Sequence, residues 1–378
     1  MTEPSPETTT PSSAIPPARP RSRVKELLLL VVSTALSLLA GLVLFESYLR
    51  LETTSTPNLG CYEIDFEIGK VLRPGFKGDH YGAPVSINAF GMRDRDTTLE
   101  RPKGAKRILA LGDSWTFGVS VKVEDSWPKQ LETLLGGPDQ VEVLNSGVSG
   151  YETYNEAVHY RRDLAKLDHD VALIGYYPVN DVHDKTGKYD RHKWLYDTHP
   201  LLYDLWVFPK QHLLIHHFYN NWRKQRKSAA REKHFSAPAE QRDALRGHGF
   251  VDEDWTELYD DRYSGWPLVK KSLLEIGDTA RRHGARPVLV LFPDVQDLTR
   301  YEGYVHPKIA PLLAEACKAA GIDFIDVKDD FHPWVGREPE IASVAGSTHV
   351  NEKGYAVIAK ALEREIRARG LLDKKPAH

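Results

Sequence analysis

Five short apolar runs, and the spacing between them, constrain this chain most. RILALG (107–112), VEVLNSG (141–147), VALIGY (171–176), RPVLVLF (286–292) and IDFIDV (322–327) are rich in β-branched and apolar residues at consecutive positions, not alternate ones. Each therefore predicts a strand buried on both faces. The segments between them, roughly 125–136, 152–166, 267–284, 306–320 and 351–369, have helical length and an apolar stripe. Strand and helix in alternation predict an α/β domain: a central parallel sheet covered by helices on both sides, in three α/β/α layers, with ligands near the carboxyl ends of the strands. An apolar content of 41% over 378 residues is enough to fill such a core.

The N-terminal part is built differently. Residues 1–24 are mostly Pro, Ser, Thr and charge, too polar to offset the entropy of ordering, and are expected to be a disordered tail. LLLLVVSTALSLLAGLVLF (27–45) is uncharged throughout and matches a ~30 Å hydrocarbon slab, so a transmembrane helix over 25–46 is expected, with the lipid bilayer as its partner. A cleaved signal peptide is the competing reading, but its apolar stretch runs only ~7–15 residues and ends at a small-residue site, whereas ESYLRLETT follows Phe45. Arg19, Arg21, Arg23 and Lys25 precede the span, which keeps the N-terminus in the cytoplasm and the main domain outside. Residues 47–104, punctuated by Gly60, Gly69, Gly75 and Gly78, read as a membrane-proximal arm.

Charge excludes one class of function. Lys and Arg number 50 against 53 Asp and Glu, which gives no basis for nucleic acid as a partner. Cys61 and Cys317 could pair in an oxidising compartment, but Cys317 lies in PLLAEACKAA, where a small buried hydrophobe explains it better. Residues 184–265 break the strand–helix alternation. Apolar and aromatic residues at helical spacing over 201–222, then Arg223, Lys224, Arg226, Lys227, Arg231 and Lys233, predict a helical cap over the strand ends with a basic face. His199, His212, His216 and His217 in this cap have no acidic partner at metal-site spacing, so packing is expected of them; no metal and no organic cofactor is expected anywhere.

The chemistry-bearing residues cluster where strands end. In GDSWTFG (112–118), Ser114 follows the first strand at a turn before a helix, where a serine can serve as nucleophile. The next strand ends in NSGVSGY, offering the Gly147 N–H, and the third in GYYPVND, offering the Asn180 amide; with the Ser114 N–H these are three donors for one oxyanion. Each also has a plain alternative, Gly147 as a turn glycine and Asn180 as a helix cap. Near the C-terminus, His349 stands just before a helix whose Val350, Tyr355, Ile358, Ala359 and Leu362 face the core, so it returns to the same sheet edge.

In that order, Ser114 in GDSWTFG, Gly147 in NSGVSG, Asn180 in PVND and His349 in THVNEKGY resemble the four blocks of the SGNH (GDSL-type) hydrolases over about 105–370. NAFGMRD (88–94) looks like the segment ahead of the GDS block in membrane-anchored members, or else is a hairpin packing the arm. The resemblance implies a flavodoxin-like fold, Ser114 as nucleophile with His349 as base, and an ester-bearing small molecule, lipid or glycan as substrate. One departure stands out: the family's acid, three residues before the histidine, is Gly346 here. A main-chain carbonyl near Ala345 or Gly346 could replace it, or a carboxylate from Asp330, ahead of Asp329 and Glu352. Serine ester hydrolysis is the expected reaction; O-acyl transfer to an envelope glycan and a catalytically inactive binding module are the alternatives. Trp115 and Phe117 would favour short acyl groups if they faced the site; the equal alternative is that they are core residues.

Overall fold

The computed structural model describes residues 23–52, 60–80, 82–216, 218, 219, 222, 223, 255–295, 298, 306–343 and 349–373. The chain forms two compact units, Met1–Pro57 and Asn58–His378.

Among the described residues the first unit contributes one helix, α1 (Arg23–Glu52). Its segment Arg23–Leu51 has a mean hydropathy of 2.6 in its most apolar window, none of it buried. By length and composition it can cross a membrane. The tail expected over 1–24 lies outside the described residues up to position 22, while Arg23 and Val24 already belong to α1.

The second unit begins with two antiparallel hairpins, β1 (Tyr62–Asp65) with β2 (Gly69–Leu72) and β3 (Lys77–His80) with β4 (Ala83–Ser86). The parallel sheet follows: β5 (Lys106–Gly112), β6 (Val141–Asn145), β7 (Val171–Tyr176), β8 (Arg286–Leu291) and β9 (Asp323–Asp326), in the order β6-β5-β7-β8-β9. Counted by appearance this is 2-1-3-4-5, the flavodoxin-like order, whose topological switch lies between β5 and β7. The helices are α2 (Ser114–Phe117), α3 (Trp127–Leu134), α4 (Thr153–His159), which runs on as a wider π turn to Leu164, and α5 (Pro178–Asp181). Then come α6 (Thr186–Thr198), α7 (Pro200–His212), α8 (Gly265–Arg282), α9 (His306–Ala320) and α10 (Glu352–Ala368).

Because successive strand residues point to opposite faces, β5 serves two cores at once. Ile108 and Ala110 join Trp127 and Leu131 of α3 and Tyr355, Ile358 and Leu362 of α10. Leu109 and Leu111 join Tyr160 after α4, Leu273 and Ile276 of α8 and Leu313 of α9. This two-sided burial is why the strands read as continuous apolar runs. Val350, Tyr355, Ile358, Ala359 and Leu362 are all buried, which docks α10 on the sheet and carries His349 to the carboxyl edge.

Of the segment expected as an arm over 47–104, residues 47–52 belong to α1, while the described residues from Gly60 onward pack in the second unit. Cys61, Ile68, Leu72, Val85 and Ile87 share a core with Phe117, Val119, Val148 and Tyr151. Cys61 and Cys317 are free and buried in separate clusters, and burial pushes their thiols up to about 11 and about 12. In the expected cap, α6 and α7 do form. They pack on the β1–β2 hairpin, with Tyr196 of α6 stacked on Phe66 at 4.6 Å and the Tyr189 ring against Gly69. His199 and His212 sit against the aromatic rings of Trp194 and Phe208, while His217, Lys224, Arg226, Lys227, Arg231 and Lys233 lie outside the described residues.

Candidate active site

Local backbone rules place Ser114. The β5 strand ends on Gly112 at φ +149°, where a Cβ atom would fall 2.1 Å from Thr116 Oγ1, so only glycine fits this bend. Asp113 caps the turn, its Oδ1 accepting the Trp115 N–H at 2.8 Å. Gly118 closes it at φ +82° and donates its N–H back to Ser114 O at 3.1 Å. Ser114 thus opens a one-turn helix at the switch point of the sheet, and 9% of its surface is accessible.

His349 arrives from the other end of the sequence. Its carbonyl accepts the Ser343 N–H at 2.9 Å, Val350 forms a bridge to Ala342, and Asn351 caps α10 by accepting from Lys353 N and Gly354 N. These contacts hold the imidazole so that Nε2 lies 2.7 Å from Ser114 Oγ. Burial lowers the ring's pKa from 6.5 to about 4. Of the acids considered from sequence, Asp330 is committed elsewhere: Arg364 holds its two oxygens at 2.5 and 3.0 Å. Asp329 and Glu352 are exposed, and Ala345 and Gly346 lie outside the described residues.

The three expected oxyanion donors are gathered around the same turn. A Cβ on Gly147 would meet Phe117 N at 2.2 Å, so this glycine lets the β6 loop lie against α2. Asn180, on α5 after β7, donates Nδ2 to Asp113 Oδ2 at 3.1 Å and to Tyr151 O. The Gly147 N–H is given to Asn145 Oδ1 at 3.1 Å. The Ser114 N–H has no acceptor among the described residues. Two of the three donors therefore have neutral or internal acceptors that a developing negative charge must outcompete.

A strand-end serine within hydrogen-bond reach of a histidine, with amide donors around it, is the geometry of acyl transfer. The GDSL-like lipase/acylhydrolase family model matches residues 110–357, which takes in Ser114, Gly147, Asn180 and His349. The chain belongs to the GDSL-like lipase/acylhydrolase family. It is an ester-hydrolysing enzyme of the SGNH type. Among solved structures it resembles the acetyl xylan esterase AlAXEase (14% identity, 69% of this chain and 99% of that one, TM-score 0.40). It also resembles Axe2, an acetylxylan esterase from Geobacillus stearothermophilus (14%, 70% and 96%, TM-score 0.38), and a lipase/acylhydrolase from Enterococcus faecalis (12%, 70% and 96%, TM-score 0.37). No curated protein matches it in sequence.

In this GDSL-like hydrolase the aromatics beside the serine belong to the core. Trp115 is fully buried between Tyr177 and Phe292, at ring distances of 5.1 and 5.4 Å, and Phe117 is equally buried beneath the Arg93 guanidinium at 4.7 Å. They do not restrict acyl length in the way considered from sequence.

Two acidic residues escaped the sequence reading. Glu156 of α4 and Asp181 of α5 are buried close to Asp113; burial first, and then the mutual repulsion of these groups, raises both well above the carboxylate range. Among the described residues neither Glu156 oxygen has a hydrogen-bond partner, which favours the protonated form. Asp113 itself rises to about 7, with burial outweighing the donors from Trp115 and Asn180. Sequence offered one faint signal, the acid of PVND directly after Asn180.

Proposed function

We propose that this hydrolase is a membrane-anchored serine esterase whose domain acts outside the cytoplasm through an acyl-serine intermediate. His349 Nε2 accepts the Ser114 hydroxyl proton as Oγ attacks the ester carbonyl carbon. The oxyanion is met by the Ser114 N–H, the Gly147 N–H and Asn180 Nδ2, the last two releasing Asn145 Oδ1 and Tyr151 O. Collapse expels the alcohol, which takes the proton from His349. Water, deprotonated by the same imidazole, then cleaves the acyl-serine and frees the acid. The Ser114–His349 hydrogen bond of 2.7 Å carries this reading. Asp113 shapes the turn and orients Asn180. The apolar run 27–45, preceded by Arg19, Arg21, Arg23 and Lys25, supports a bilayer anchor with the domain on the far side.

The test is hydrolysis of p-nitrophenyl acetate and a longer-chain ester by the full chain in detergent, beside Ser114→Ala and Gly346→Asp. Turnover by the wild type that Ser114→Ala abolishes is expected. Gly346→Asp restores the acid position and is expected to gain at least ~10-fold, within the ~10⁴ that a well-placed acid is worth. A wild type no faster than Ser114→Ala would overturn the esterase reading in favour of a binding module. Turnover accelerated by an added glycan acceptor would redirect it to O-acyl transfer.

A further inference from the structure

The segment NAFGMRD holds a side chain that the mechanism has not used. Arg93 is 1% exposed, and its guanidinium sits where the nucleophile turn ends. Nη1 donates to Phe117 O at 2.9 Å and Gly118 O at 2.6 Å; Nη2 donates to Val121 O at 2.8 Å and Pro84 O at 3.0 Å. Three of these carbonyls belong to the end of α2 and the loop after it; the fourth is in β4. Among the described residues no carboxylate pairs with Arg93. Arg107, also fully buried, differs: it lies at the start of β5 and is neutralised by Glu142 at 2.5 Å. Burial accordingly lowers the Arg93 pKa.

A buried guanidinium without a counter-ion is costly, and an apolar side chain of similar size usually serves packing as well or better. What it supplies is geometry. A four-residue helix has no stability of its own, and its last carbonyls lack helical partners. A planar fork with fixed donor directions can gather several of them at once. The turn being fixed is the one that sets Ser114 Oγ against His349 Nε2.

We propose that Arg93 is a positioning residue for Ser114, locking α2 from its carboxyl end so that nucleophile and base stay aligned; this rests on the serine-esterase reading above. Arg93→Met and Arg93→Lys in the full chain test it, with kcat and KM on p-nitrophenyl acetate, the rate of Ser114 labelling by a fluorophosphonate, and thermal melting. Arg93→Met is expected to lower kcat and the labelling rate together by ~100-fold, the scale of a 1 Å misplacement, with KM little changed. Arg93→Lys keeps the charge but not the fork, and is expected to recover only part of this.

A purely structural role would lower the melting temperature and leave kcat per labelled serine at the wild-type value, and that result overturns the proposal. If Arg93→Met does not fold, Arg93→Lys decides: wild-type kcat and labelling in that variant equally overturn it. A wild type that neither hydrolyses the ester nor reacts with the fluorophosphonate refutes the esterase reading itself, and is distinguishable because the parent protein is then already silent.

Discussion

On the proposed mechanism, His349 should work as base at an acidity where most catalytic histidines have stopped. His349 lies against Ser114, and burial takes its pKa from 6.5 to about 4. At 1.36 kcal/mol per pH unit, this is about 3 kcal/mol against the imidazolium. A general base acts in its neutral form, so kcat/KM should rise with pH through the histidine pKa and level off above it. The acid limb is therefore expected near pH 4. A carboxylate on Nδ1 would stabilise the imidazolium and bring the limb back to between pH 6 and 7 or higher. Initial rates on a short-chain ester, followed from pH 3 to 9 with folding checked at each pH, measure this directly. A limb at pH 6 to 7 refutes the reasoning and means that an acid reaches His349. The same shift has a stability consequence. Between about pH 4 and 6.5 the folded chain binds fewer protons here than the unfolded one, so this site makes stability rise with pH across that window. His349→Gln should flatten the rise.

Three further outcomes are expected. Glu156 has a folded pKa raised well above 4.5, so the folded state keeps a proton that the unfolded chain releases, and stability falls as pH rises from about 4.5. Glu156→Gln removes that loss and should gain stability over wild type on going from pH 5 to pH 8 in urea melts; an equal difference at both pH values would show that Glu156 is not held neutral. Gly147→Ala places a Cβ 2.2 Å from Phe117 N and 2.6 Å from Thr116 C, both backbone atoms. It should cost ~1–3 kcal/mol and, by moving α2, ~100-fold in kcat; near-wild-type turnover with unchanged melting contradicts the packing described. Asp330→Asn breaks only the exposed pair with Arg364, worth at most ~1 kcal/mol. It should leave kcat within about two-fold, and a ten-fold loss would reinstate Asp330 as the partner of His349.

Residues with one dominant environment were legible in the sequence. Ile108 to Leu111 could be read as a two-sided strand because helices cover both faces, and apolar side chains at consecutive positions have no other stable place. His349 could be placed because the helix after it has a buried stripe that admits one docking face. Orientation at close range was not legible. Trp115 and Phe117 flank a serine that nine per cent exposure leaves reachable, yet both rings turn into the core, because α2 is one turn long and stacking on Tyr177 and Phe292 decides the first of them. Nor could sequence show that Asn180 and Gly147 already have acceptors, since Tyr151 O and Asn145 Oδ1 are brought to them only by the fold.

These internal bonds bear on how the site works. An oxyanion donor that is already satisfied helps catalysis only through the difference between its resting acceptor and the charged oxygen of the transition state. Charge-assisted hydrogen bonds are about twice as strong as neutral ones. Asn145 Oδ1 and Tyr151 O, both neutral, are acceptors that a developing oxyanion can displace, whereas an ionised Asp113 competes for Asn180 on nearly equal terms. Burial lifts Asp113 to about 7, so near neutral pH part of the population carries a proton there, and a neutral carboxyl holds the amide less tightly than a carboxylate does.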